Sequence, residues 1–185
     1  MRLKSGDAAW LPAYARQVHD LAIRYSMLSG LFTNEAVLVP VPGSAPSAPR
    51  IWAAERLAFA LHGVGLGNSL WAGLERRFAV RKSATALNAD RPTVRQHYGS
   101  FAVSMCSVST GPSFEPVKFV LVDDVITKGR TILAAAARLH EAFPNADIRA
   151  FALIRTMGFV AKIDDPLEPC QGEVRWSAQD ARREP

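Results

Sequence analysis

The chain has 185 residues, 49% of them hydrophobic, with 22 lysines and arginines against 17 aspartates and glutamates. That length fits one domain with a small appendage, and so apolar and thinly charged a chain is not a disordered one. The net charge of +5 favours anions without choosing among nucleic acid, phosphate metabolites and acidic membranes. In chain order, residues 11 to 29 come first, with Leu11, Tyr14, Val18, Leu21, Tyr25 and Leu28 at helical spacing. Pro12 suits the first turn of that helix and Gly30 its stop. The apolar face serves the core or a homodimer interface equally well.

Residues 36 to 41 form a continuous apolar run, expected as a buried parallel strand. Pro42, Gly43, Pro46 and Pro49 mark the loop after it, and a helix is expected at about 51 to 61. Gly63, Gly65 and Gly67 end that helix. The pattern then admits a short helix at 69 to 77 and a strand over Phe78, Ala79 and Val80. Residues 81 to 98 are polar, basic and poorly periodic, and read as an exposed loop carrying Arg81, Lys82, Arg91 and Arg95. Ser100 to Val103 can begin another strand.

The clearest unit follows. A buried strand over Phe119, Val120, Leu121 and Val122 is ended by Asp123 and Asp124; a short loop leads into a helix at 132 to 143, and 148 to 154 forms the next strand. Strand, helix and strand repeated in this way predict a three-layer α/β domain with a parallel sheet. The tail from Pro166 is weakly periodic and suits a short hairpin or a loose end. The two cysteines, Cys106 and Cys170, make neither a disulfide framework nor a four-thiolate zinc site. No stretch reaches the roughly 20 apolar residues that span a bilayer. A cytoplasmic protein without membrane insertion is expected.

Chemistry concentrates after the strand at 119 to 122. Two carboxylates at a parallel strand end can accept hydrogen bonds from vicinal hydroxyls, and can face a divalent ion directly or through water. Val125, Ile126, Thr127, Lys128, Gly129, Arg130 and Thr131 then lead into a helix whose first N–H groups can converge on a phosphate. Carboxylates and phosphate repel one another, so they must address opposite ends of one ligand. A sugar 5-phosphate has that shape. The sequence matches neither the Walker phosphate loop nor the three-glycine dinucleotide pattern. Capping of the helix by Thr131 is the plainer structural alternative.

The segment from Val120 to Thr131 resembles the phosphoribosyl diphosphate signature of type I phosphoribosyltransferases. Val39-Pro40-Val41-Pro42 is similar to the early strand-end motif of the competence-protein F branch. The resemblance implies a mainly parallel five-stranded sheet in a core at 36–157. An N-terminal helical hood segment would occupy 1–35, and a C-terminal extension at 158–185 would belong to the hood or stand apart. It implies that Asp123 and Asp124 hold the ribose hydroxyls as the catalytic pair, with magnesium met through water. Residues 125 to 131 would wrap the 5-phosphate, and Val41, Pro42 and Gly43 would meet the diphosphate. Arg81, Lys82, Arg91 and Arg95 would lie on a loop that closes over it.

The activity so implied is magnesium-dependent transfer of phosphoribose from phosphoribosyl diphosphate to a nitrogen acceptor, within nucleotide metabolism. A non-catalytic sensor or adaptor using the same pocket, linked to DNA uptake, is the alternative. Direct nucleic-acid binding has the net charge in its favour and no recognition helix or zinc pattern. The chain departs from the branch in lacking its N-terminal zinc element and its Arg-Gly-Phe-Asn-Gln stretch. Lys128 stands where threonine is usual. Thr127 stands where purine-salvage relatives place an acidic base, and it is a poor proton acceptor at neutral pH.

Overall fold

The structure, a computed structural model, describes residues 10–46, 52–81, 91–105, 114–156, 168–178 and 180–184. The elements in chain order are α1 (Leu11–Arg24), α2 (Ser26–Leu31), β1 (Ala36–Pro40), α3 (Ala53–Gly63), β2 (Ser69–Leu70), β3 (Leu74–Arg76) and α4 (Val94–Ser100). They continue with β4 (Phe101–Val103), β5 (Lys118–Ile126), α5 (Arg130–Ala142), β6 (Asp147–Arg155), β7 (Glu173–Ser177) and β8 (Asp180–Glu184).

The two apolar runs that carry no alternation in sequence become the central strands, because both of their faces are covered. Strands β2, β1, β5 and β6 lie side by side in that order, all parallel. Ala36 and Leu38 of β1, with Val120 and Val122 of β5, join one core shared with α1, α2 and α3. Val37, Val39, Phe119 and Leu121 point the other way, into a second core with α4, α5, Trp71 and Leu74. The period-two alternation of side chains thus builds three layers from one sheet.

The sheet has four strands among the described residues, where five were expected. Residues 78 to 80 are not a strand; the Val80 amide donates instead to the Ser44 carbonyl (2.7 Å). Residues 101 to 103 do form a strand, but it pairs antiparallel with β3 in a separate ribbon. Two strands replace the short helix expected at 69 to 77. Trp71 decides this locally: its indole is buried among Phe114, Phe119 and Phe143, and it lies where a Cβ on Gly73 would stand.

The expected helix at 11 to 29 is two helices, because Tyr25 takes an extended conformation (φ −117°, ψ 112°) and its hydroxyl donates to Glu168. The break turns Leu28 and Phe32 into the core, while Tyr14, expected on the buried face, is exposed. Leu11 and Val18 lie on that face as expected, and Ala15 and Ala22 line it beside them. Residues 94 to 98, expected in a loop, belong to α4. Thr93 and Gln96 form a capping box there: the Gln96 amide donates to Thr93 Oγ1 (3.2 Å) and the Thr93 amide to Gln96 Oε1 (2.8 Å). The tail at 173–184 is a hairpin, β7 paired antiparallel with β8. Among the described residues, no helix is long and apolar enough to cross a membrane.

Candidate functional site

β1 stops at Pro40, opposite Val122, and the Val41 amide donates to the Val122 carbonyl (2.9 Å) as the chain leaves the sheet. β5 does not stop at the acid pair, as the sequence suggested. It runs on to Ile126, paired with β6 as far as Arg155. The partner strand sustains it: β6 is long enough to keep the ladder while β1 has ended. The edge of β5 that faced β1 is therefore open from Asp123 onward. From β1 the chain passes by α3 to β2, and from β5 by α5 to β6, so these neighbouring strands are left in opposite directions. Open parallel sheets hold ligands at such a switch point.

Asp123 and Asp124 stand at this switch point, both half-buried. Their register continues that of Val122, so strand alternation assigns Asp123 to the α5 side and Asp124 to the α3 side. The Asp124 amide donates to Asp123 Oδ1 (2.9 Å), which fixes the first carboxyl. Among the described residues, no group of three or more His, Cys, Asp or Glu is arranged to hold a metal ion. Magnesium retained mostly by water and ligand phosphates needs only one or two protein carboxylates, and the acid pair fits that mode.

Gly129 turns the chain from β5 into α5 with φ +82° and ψ 9°, a left-handed conformation open to glycine. It is also the N-cap, and no side chain caps this helix. The capping role considered for Thr131 is therefore not used. α5 begins at Arg130, two residues ahead of the expected start, and its own first turn contains no acidic residue. The first amides of this 13-residue helix thus have neither a side-chain cap nor an acidic residue in their own turn, and the dipole of such a helix start favours negative charge.

The β7–β8 hairpin is bound to this turn. Val174 packs against Gly129, its methyls 2.7 and 2.8 Å from where a Cβ would stand. Arg183 donates to the carbonyls of Ile126 and Thr156. Arg130 forms a two-pronged pair with Asp180, Nε to Oδ1 at 2.5 Å and Nη2 to Oδ2 at 2.6 Å, while Lys128 Nζ lies 3.7 Å from the same carboxylate. Arg130 Nη1 also reaches the carbonyls of Arg91 and Pro92 (3.4 and 3.3 Å). Its guanidinium thus ties the turn to two neighbouring segments.

Hydrogen bonding to Arg130 is the main reason that the Asp180 carboxyl is pulled down to about 2 from an ordinary value of 3.8. A lowered carboxylate pKa stabilises the fold fully above the unfolded value and loses its effect as pH falls through the folded one. Asp180→Asn is therefore expected to cost about 1 kcal/mol at neutral pH, after discounting for solvent screening of this part-exposed pair. Urea denaturation of both proteins between pH 7 and pH 2 tests this. The gap should close between about pH 4 and pH 2; a gap independent of pH would refute the assignment.

Of the residues singled out in the sequence, the structure brings Val41, Pro42 and Gly43 to the same end of the sheet as Asp123 and Asp124, through the bond from Val41 to Val122. Arg81 follows Val80, whose amide bonds the Ser44 carbonyl at the far end of that loop. Arg95 lies elsewhere, on an outer groove with Tyr98, Leu133, Ala137 and Trp176. Lys82 is outside the described residues. His97 is buried on α4, with Nε2 3.5 Å from Thr131 Oγ1. Burial, then Arg76 and Arg130, push it down to about 4, so it is neutral at physiological pH. Sequence reasoning missed Arg76, Val174, Asp180 and Arg183. Only long-range packing reveals the last three, whereas a buried arginine in an apolar ribbon gives no local pattern at all. No protein-family model matches the chain, and comparison with curated proteins gives no match either.

Proposed function

We propose that this chain is a magnesium-dependent phosphoribosyltransferase that moves phosphoribose from phosphoribosyl diphosphate to a nitrogen nucleophile in the cytoplasm. One observation carries the reading. The loop after β1, the acid pair of β5 and the uncapped head of α5 lie at one switch point of the sheet. Acids beside helix amides suit a ligand with hydroxyls at one position and phosphates at others.

In this reading Asp123 and Asp124 accept from the ribose hydroxyls and orient the sugar. The amides from Thr127 to Thr131 hold the 5-phosphate, and the loop at 41 to 43 receives the diphosphate. The C1–oxygen bond breaks with its electron pair leaving on diphosphate. The nitrogen lone pair forms the new bond to C1, and the nitrogen then sheds its proton. Magnesium, when bound, supplies charge neutralisation at the departing group. Carboxylates near C1 favour the positive character that develops there.

The test is diphosphate release from phosphoribosyl diphosphate and magnesium, across a panel of amines and nucleobases. The Asp123→Asn, Asp124→Asn double variant is expected to bind phosphoribosyl diphosphate at least about tenfold more weakly, since two charge-assisted sets of bonds are lost. Unchanged affinity in a folded double variant would remove the sugar site. Tight binding without turnover on any acceptor would favour the second reading, a sensor or adaptor. The hairpin bonded across the signature turn supports that reading, since it would give ligand binding a mechanical route to a partner surface.

A further inference from the structure

Arg76 ends β3 and is only 5% exposed, and no carboxylate pairs with it among the described residues. Buried charges are normally paired, so its surroundings need an account. Its Nε donates to the Gly43 carbonyl, Nη1 to the Ser100 hydroxyl and Nη2 to the Pro42 carbonyl (3.5 Å). The guanidinium lies over the Phe101 ring, 4.2 Å from its centre. Ser100 is held in turn by its own bond to the His97 carbonyl (2.7 Å).

The rest of the loop completes the pattern. The Val41 carbonyl accepts from the Trp52 indole (2.8 Å), and the Ser44 carbonyl from the Val80 amide (2.7 Å). All four carbonyls from Val41 to Ser44 are thus satisfied from within the protein. The peptides are trans, and in a planar trans peptide the C=O and N–H point in opposite directions. Drawing the Pro42 and Gly43 carbonyls onto Arg76 therefore turns the amides of Gly43 and Ser44 away from it. Those two amides donate to no described residue. Successive outward N–H groups form a concavity for anions.

We propose that Arg76 is a positioning residue: it fixes the loop after β1 with its amides outward, so that this loop binds the diphosphate end of the ligand. Its charge acts from behind the loop without touching that ligand, in a setting where no acid among the described residues pairs with it. The inference rests on the phosphoribosyl diphosphate reading above. It adds the residue that makes the 42–44 loop selective for an anion over a neutral group.

Calorimetric titration with inorganic diphosphate plus magnesium, and separately with ribose 5-phosphate, separates the two ideas. Arg76→Met is expected to weaken diphosphate binding at least about tenfold, by analogy with the loss of charge-assisted bonds. Arg76→Lys should recover part of that loss. Ser100→Ala removes one anchor of the guanidinium, along with the Ser100 bond to the His97 carbonyl, and should give a smaller weakening; it carries the test if Arg76→Met fails to fold. Affinity for ribose 5-phosphate should be unchanged in every folded variant. Unchanged diphosphate affinity in the variants overturns the proposal, as does an equal loss of both ligands, which would mark a general structural role. A wild-type protein that binds ribose 5-phosphate but not diphosphate overturns it too, leaving the sugar-phosphate reading intact. Binding of neither ligand removes both.

Discussion

Gly129→Ala is expected to destabilise the protein by roughly 2 to 4 kcal/mol, two separate costs being joined at one position. The first is conformational. At φ +82° a Cβ crowds its own carbonyl, which costs roughly 1–2 kcal/mol for an L-residue. The second is steric. The added methyl would stand 2.7 Å from a Val174 methyl and 3.3 Å from the Val174 Cβ. Valine is stiff about its first torsion, so the hairpin must move as a unit. The two costs separate in a double-mutant cycle. Gly129→Ala in a Val174→Ala background should lose the steric part and keep the conformational one. Urea denaturation of the four proteins reads this directly. Additive effects of the two substitutions would show that the hairpin does not rest on Gly129. In the same variants, ribose 5-phosphate affinity should fall with Gly129→Ala even where Val174→Ala relieves the crowding.

Phe119→Ala should have the largest effect on stability, about 3–5 kcal/mol. Phe119 is fully buried, its ring centre 5.0 Å from that of Phe143 and 5.6 Å from that of Trp71. The neighbouring rings belong to several parts of the chain, so they cannot collapse together into the space left behind. For a protein of this size the expected fall in Tm is roughly 10 °C. Phe59→Ala serves as the control, because Phe59 is 53% exposed and its loss should change stability by no more than about 0.5 kcal/mol. Equal melting shifts for the two variants would contradict the cluster's role in the core. The cluster also underlies the candidate site: Phe119 is four residues before Asp123 on the same strand face, so loosened packing there reaches that strand end.

How much of this was legible depended on how local each determinant is. β1, β5, β6, α3 and α5 could be read because their apolar runs and helix formers act within a few residues. The three layers and the parallel sheet followed from their order. The break at Tyr25 could not be read, since its partner Glu168 is remote in sequence. Strands β2 and β3 were hidden for a similar reason: Trp71 and Gly73 settle their geometry through distant aromatic rings. The continuation of β5 past the acids depends on the length of β6, which the acids themselves do not reveal. α4 is different. Thr93 and Gln96 have capping-box spacing in plain sequence, and the polarity of the surrounding stretch concealed it. The turn at 127 to 131 was legible as a strand-to-helix turn because glycine, hydroxyls and a following helix are consecutive. Its brace, Asp180 on Arg130, was invisible from either end.

That brace has a consequence for the order of events at the ribosome. Arg130 and Asp180 are 50 residues apart, and synthesis proceeds at roughly 5–20 residues per second while domains form from the N-terminal side. The turn that follows β5 therefore emerges several seconds before the strand that clamps it. During that interval Arg130 and Lys128 lack the carboxylate that neutralises them, and Gly129 lacks the cover of Val174.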